Sequence, residues 1–368
     1  MKRFSSTFSR VDMPRLVLFV AFVLCAAIQS SSGVEIVQFE DSSGDLKTAT
    51  GKILIEAQDG GMMLCGDDGM IWTLQPEQIK ERKSDDQPFT PIDADEMEKR
   101  VLAEVPAGFS VYQTNHYIIV YNSDEAYAKI VAGLFEQLYR GFFTYWKNLG
   151  WEQSEPEFPL VAVVLRDTQA FRQYAGAEIG ARANEVIGYY HLATNRMTTY
   201  RVPNLERNVS TIIHEATHQL AYNCGMQRRF ADNPMWVSEG LATFFEAPDR
   251  RNPTRWRNIG RVNGVNLTRW RKYVRNRPEE SLATLLANDT RYENQASAEA
   301  AYAEGWALTY FLIKTKKKQY VEYMKQLSEG KPLAEKPPRQ RIDEFEAAFG
   351  MKLTELDKAF VSYLRRVR

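Results

Sequence analysis

The sequence predicts an α+β protein: a mixed sheet and a helical C-terminal half, with a small β-barrel-like module in front of both. Three observations carry this prediction. Short apolar clusters broken by Asp-Gly turns fill residues 34 to 80. Buried-strand runs alternate with a long helical stripe between 111 and 200, and helical periodicity dominates after 205. The chain has 368 residues, 44% of them hydrophobic, which suffices for one large domain and a small companion.

Lys2, Arg3, Arg10 and Arg15 precede the unbroken apolar run Leu16 to Ile28, and Ser30, Ser31, Ser32 and Gly33 follow it. This is the layout of a secretory signal peptide over residues 1–33, with an apolar run too short to span a bilayer comfortably. Leu24 stands before Cys25 where lipoprotein-type cleavage needs a small residue. The expected location is therefore outside the cytoplasm: periplasm, cell envelope or extracellular medium, with no stable span after cleavage. An uncleaved N-terminal anchor would still leave the rest outside. Only Cys65 and Cys224 then remain, too few for a disulfide framework, and they are expected as buried free thiols.

Within 34–80, Ile53-Leu54-Ile55, Met62-Met63-Leu64 and Met70-Ile71-Trp72 are separated by Asp59-Gly60-Gly61 and Asp67-Asp68-Gly69. Glycine after aspartate supplies the positive φ of a hairpin turn, so three or four short strands of SH3-like size are predicted. The charged run Glu81 to Pro88, with Pro91, Pro106 and Gly108, reads as a linker over 81–110.

The main domain is predicted over 111–368. Tyr117 to Tyr121 and Leu160 to Leu165 are buried-strand runs, Val186 to Tyr190 is a third strand, and Met197 to Tyr200 can pair with it as a hairpin. Between the first two, Val131, Leu134, Phe135, Leu138, Phe142 and Trp146 recur at helical spacing from about Asp124 and form a core stripe. From 205 the pattern is helical, with loops near 248–280 and 329–340. Trp306, Leu308, Phe311 and Leu312 should pack behind the site described next. Phe345, Phe349, Leu353, Leu356 and Phe360 should form the last helical layer.

Lys+Arg and Asp+Glu both number 47, so the chain lacks the basic excess by which nucleic-acid binders hold phosphates, and no nucleic-acid partner is expected. The run Lys314, Lys316, Lys317, Lys318 reads as a solvated helix C-terminus. Oligomeric state is open at this level.

Chemistry concentrates after residue 210. In Thr211-Ile212-Ile213-His214-Glu215-Ala216-Thr217-His218, a helical segment, the imidazoles at i and i+4 share a face and can reach one metal ion. The chain has four histidines, so such a pair is uncommon by chance. Zinc suits this pattern because it makes water acidic and polarises a carbonyl, and Glu215 stands where it can serve as general base. A catalytic site needs a third protein ligand. No third histidine follows closely, but Asn233 to Pro248 reads as a second helix, capped by Asn233 with Pro234 in its first turn, and it offers Glu239. Glu246 is a candidate hydrogen-bond partner for a ligand histidine. Tyr190, His191 and Tyr302 are candidate donors for an oxyanion, each with a structural role as its alternative.

The pair His-Glu-Ala-Thr-His and Trp236-Val-Ser-Glu239-Gly-Leu-Ala resembles the gluzincin zinc peptidases, in particular the aminopeptidase-like and peptidase MA-like branch. The strand–helix–strand lead-in and the Tyr302-x-x-x-Trp306-Ala-Leu helix are similar to secreted bacterial members of that branch. The resemblance spans about residues 111 to 365 and implies a zincin-like metallopeptidase domain with one Zn2+. It implies His214, His218 and Glu239 as ligands, Glu215 as base, and a peptide or protein substrate. Two departures qualify it. The segment by which aminopeptidases hold a free amine is replaced by Ile187-Gly188-Tyr189-Tyr190-His191, and Thr243 stands where thermolysin-like members often carry Asp. The competing expectation is a catalytically silent binding protein that holds a cell-envelope partner through its N-terminal β domain.

Overall fold

The structure, a computed structural model, describes residues 33–41, 43–247, 256 and 259–368. The predicted signal segment lies outside the described residues apart from Gly33, as does Pro248. The protein is α+β, with two five-stranded sheets and twelve α-helices among the described residues.

The first sheet contains β1 (Gly33–Glu40), β2 (Leu46–Glu56), β3 (Met62–Gly66), β4 (Ile71–Leu74) and β5 (Ile79–Pro88), in the order β4-β3-β2-β1-β5. All four pairings are antiparallel. Gly60 and Gly69 take φ of +92° and +80°, as the Asp-Gly turns require. The predicted barrel closure is not found. The sheet is open, with β4 and β5 at its two edges. One edge is covered by the main domain, where Ile71 N–H donates to the Ala193 carbonyl at 2.8 Å.

Two elements occupy the segment that reads as a linker. The charged run is β5, exposed along nearly its whole length and so without the alternation that marks a half-buried strand. Backbone pairing to β1 holds it, together with Arg82, which hydrogen-bonds the buried Glu35 of β1 at 2.9 Å. Helix α1 (Ala94–Glu104) follows, its first turn capped by Asp93.

The second sheet contains β6 (Ser110–Gln113), β7 (Tyr117–Tyr121), β8 (Leu160–Leu165), β9 (Gly188–His191) and β10 (Arg196–Tyr200), in the order β6-β7-β8-β10-β9. It is mixed: β8 runs parallel to both neighbours, and the β6–β7 and β9–β10 pairs are antiparallel. Helix α2 (Glu125–Asn148), capped by Asp124, lays its aromatic stripe on one face of this sheet, and α3 (Thr168–Ile179) covers the other. Strand β8 shows why both faces are dry. Leu160, Ala162 and Val164 point into the α2 side, and Val163 and Leu165 into the α3 side, with period two.

The C-terminal half is helical: α4 (Leu205–Asn223), α5 (Met235–Phe245), α6 (Gly264–Tyr273), α7 (Ser281–Ala287), α8 (Thr290–Glu293), α9 (Ala298–Thr315), α10 (Lys317–Ser328), α11 (Pro338–Phe349) and α12 (Leu353–Leu364). Helix α6 falls in a predicted loop region. Only Leu267 and Trp270 anchor its apolar side, too few for a periodic signal. The lysine run lies at the α9–α10 junction rather than at one helix end. Helices α5 and α9 cross closely at Gly240, where a Cβ would stand 2.2 Å from Thr309 Oγ1. Trp306, Leu308, Phe311 and Leu312 are buried in the same core as α4 and α5, as predicted, and Phe345, Phe349, Leu356 and Phe360 join it. Cys65 and Cys224 are free and buried. No helix among the described residues is long and apolar enough to cross a membrane.

Candidate metal centre

Helix α4 lies beneath the second sheet and is buried on nearly all sides from Val209 onward, which is why its polar residues need specific partners. Its start is fixed by Asn204, whose side chain accepts from Arg207 N–H at 3.0 Å. Farther along, Gln219 Nε2 donates to the Val161 and Asn195 carbonyls and ties the helix to the sheet above. Helix α5 is positioned from a distance. The predicted Asn233 cap does not form, because the Asn233 side chain donates to the Arg228 and Ala231 carbonyls. Asp289 instead accepts Met235 N–H at 2.9 Å, and Asp289 is gripped by Arg341, which also holds Asp232.

These two helices bring His214, His218 and Glu239 together, with ligand atoms all within 4.8 Å of one another. His214 Nε2 stands 3.1 Å from Glu239 Oε2 and 3.2 Å from His218 Nε2, and His218 Nε2 stands 3.8 Å from Glu239 Oε1. Atoms bound about 2 Å from one tetrahedral ion stand roughly 3.3 Å from each other, so these spacings fit a shared cation. Burial is nearly complete, at 3%, 1% and 0% exposure for His214, His218 and Glu239. Glu239 Oε1 has no hydrogen-bond partner, and neither has Oε1 of Glu215. Two carboxylate oxygens without donors in a dry interior are costly unless a positive charge meets them. A buried two-histidine, one-carboxylate group that can hold a metal ion is thus in place.

The electrostatics point the same way. Burial disfavours a charged His214, yet its hydrogen bonds to Glu239 and Glu246 prevail and hold its pKa well above the usual histidine range. Burial and the neighbouring His214 charge push His218 well below that range. The Glu215 carboxyl is pushed up to about 8, mainly by burial. Glu239 is also raised by burial, against its hydrogen bond with His214 and the nearby Tyr302 hydroxyl. Carboxyl groups crowded beside a single imidazolium form a site short of positive charge.

The remaining predicted residues divide. Glu246 Oε2 is 2.7 Å from His214 Nδ1, so it orients the ring whose Nε2 faces Glu239, and Asn263 Nδ2 donates to Glu246 Oε1 at 2.8 Å. Thr243 turns its hydroxyl back to the Glu239 carbonyl. Tyr302 is 8% exposed and lies near Glu239, whose carboxyl pKa it helps to lower. Tyr190 enters through its backbone: its N–H donates to Glu215 Oε2 at 3.0 Å, and its hydroxyl is engaged by Asn195. His191 is directed to Thr194 Oγ1, and no contact brings it to the cluster. Asn263, Asp289 and Arg341 do not stand out in the sequence, since lone polar residues in a loop, before a short helix or on a charged helix carry no spacing signal.

The family described as "Protein of unknown function (DUF1570)" matches residues 208–334, about a third of the chain. The matched stretch contains His214, Glu215, His218, Glu239, Glu246 and Tyr302, so the similarity covers the whole cluster. No curated protein matches the chain.

Proposed function

We propose that the chain is a zinc-dependent metallopeptidase of gluzincin type, with a zincin-like domain, that cleaves peptide or protein substrates outside the cytoplasm. The observation that carries this reading is the buried His214, His218 and Glu239 cluster with Glu215 beside it. Two imidazoles and one carboxylate on adjacent helices are a ligand set suited to zinc, and they leave a fourth position for chemistry. When bound, the ion supplies Lewis acidity toward the scissile carbonyl and toward water. Glu215 takes the proton of the attacking water on its unpartnered Oε1 and returns it to the leaving amine, while the Tyr190 N–H steadies Oε2. Glu246 fixes the His214 tautomer with its proton on Nδ1, so that Nε2 presents a lone pair. Of the three predicted oxyanion donors, Tyr302 lies against a ligand, whereas Tyr190 and His191 are turned to Asn195 and Thr194. A purely structural metal site has no use for a base next to an open position, and this favours catalysis over the silent binding role.

The test is cleavage of a broad peptide library by zinc-loaded protein. Wild type should cut, and Glu215→Gln should lower kcat by about 10²–10⁴-fold while keeping its metal. Cleavage unchanged by Glu215→Gln would contradict the assignment. A zinc-loaded wild type inert across the library would favour a binding protein.

A further inference from the structure

Basic and acidic residues balance over the whole chain, yet the C-terminal ends of three helices gather cations without matching carboxylates. Phe360 of α12 packs between Trp270 of α6 and Phe311 of α9, with ring centroids 4.9 and 5.7 Å away, so α6 and α9 flank the end of α12. Tyr363, one turn on, meets Phe311 at 5.4 Å, and Arg271 donates to the Val367 carbonyl at 2.8 Å. Arg271 and Lys272 stand in the last turn of α6 with Arg275 just beyond, and Arg365 and Arg366 follow α12. Lys314 stands in the last turn of α9, where burial and the neighbouring charge of Lys317 hold it below the usual lysine range. All of these cations are on exposed residues, and none forms an ion pair among the described residues. The carboxylates packed nearest are taken: Asp357 is bound to Arg277, and Glu304 to Arg277 and Arg291. Glu279 and Glu280 lie past Pro278 and pair with none of the group.

We propose that these three helix ends form a docking surface for an anionic lipid bilayer. A helix dipole favours a cation or two at a C-terminus, but it does not bring three such ends together or remove their carboxylates. Like charges held side by side repel, and anionic headgroups relieve that repulsion. A group of about four to eight Lys and Arg is the size that holds a protein to such headgroups. Val274, Tyr363 and Val367 are half-buried among the cations, at the margin of the core. Long basic side chains can reach the headgroups while these aliphatic and phenolic groups rest at the boundary with the acyl chains. The balanced total charge favours a lipid surface over nucleic acid, because no basic excess draws the whole molecule to a phosphate polymer. The proposal does not rest on the metal centre or on peptide cleavage.

Flotation of the full chain with vesicles tests it, comparing mixed phosphatidylcholine and phosphatidylglycerol with phosphatidylcholine alone. Wild type should prefer the mixed vesicles at low salt and lose that preference at high salt, as screened charges do. Lys272→Glu combined with Arg366→Glu should weaken binding to mixed vesicles by about tenfold or more. Lys83→Glu combined with Arg172→Glu, the same change in net charge placed on β5 and α3, should leave it nearly unchanged. Circular dichroism matching wild type in both variants separates lost docking from lost folding. Equal binding to the two kinds of vesicle, or equal losses in the two double variants, would overturn the proposal. Tighter binding to a short DNA duplex than to mixed vesicles at equal phosphate would overturn the lipid assignment as well.

Discussion

Glu246 contacts His214, a proposed ligand, without being one of the three candidate ligands itself, which makes it the residue where structure and affinity can be separated. Its Oε2 holds His214 Nδ1 at 2.7 Å and its Oε1 is held by Asn263. Glu246→Ala should weaken zinc by about 10–100-fold in chelator competition, with the circular dichroism of the zinc-free protein preserved. An unchanged affinity would reduce Glu246 to a helix-end side chain. That ambiguity is already present in the sequence, because a glutamate near a helix end reads equally well as solvated surface. His214, Glu215 and His218 were legible because five consecutive residues on one helix fix their geometry. Glu239 was legible because a second helix with strong boundary signals follows. Asn263 was not, since it reaches Glu246 over 17 residues from outside any periodic element.

At the scale of elements, the site depends on how closely α5 is held against its neighbours. Gly240, next to Glu239, sits where a Cβ would meet Thr309 Oγ1 at 2.2 Å and the Gly305 carbonyl at 2.9 Å. Gly240→Ala should cost about 1–3 kcal/mol in chemical denaturation by overpacking the α5–α9 crossing. Adding Thr309→Ala, which removes the closest atom, should recover part of that loss. A neutral Gly240→Ala would mean the crossing has slack and does not fix Glu239. The sequence shows both helices but not their separation, because close approach depends on small residues meeting across 65 positions of chain. The Asp289 cap of α5 is hidden for the same reason. It comes from 54 residues away, while Asn233, correctly spaced to cap, bonds elsewhere.

Over the whole molecule, the N-terminal sheet is fastened to the domain that carries the site. Arg229 Nη1 donates to the Gly69 carbonyl at 2.7 Å and the Leu192 carbonyl at 3.1 Å, bridging the β3–β4 turn and the β9–β10 turn, and Arg100 forks onto Asp67. The sequence predicts a sheet here but not its fifth strand. Alternation is the strand signal, and β5 has none because it is exposed almost throughout. The sheet also makes a pH prediction. The hydrogen bond from Arg82 holds the Glu35 carboxyl below the usual range, against burial and with help from Ser84. A folded-state pKa below the unfolded one gives stability that is complete above the ordinary carboxylate value and is lost as pH falls through the lowered one. Glu35→Gln should therefore lower Tm at pH 7, and the difference from wild type should shrink below about pH 4. A difference that stays constant with pH would show that Glu35 acts by packing alone.

The central claim is that one cation joins α4 to α5, and metal content measures it most directly. Protein purified without added chelator should carry close to one zinc per chain by elemental mass spectrometry, and Glu239→Gln should lose it while remaining folded. Wild-type protein without stoichiometric metal after zinc loading, or a Glu239→Gln variant that keeps its full complement, would contradict the account.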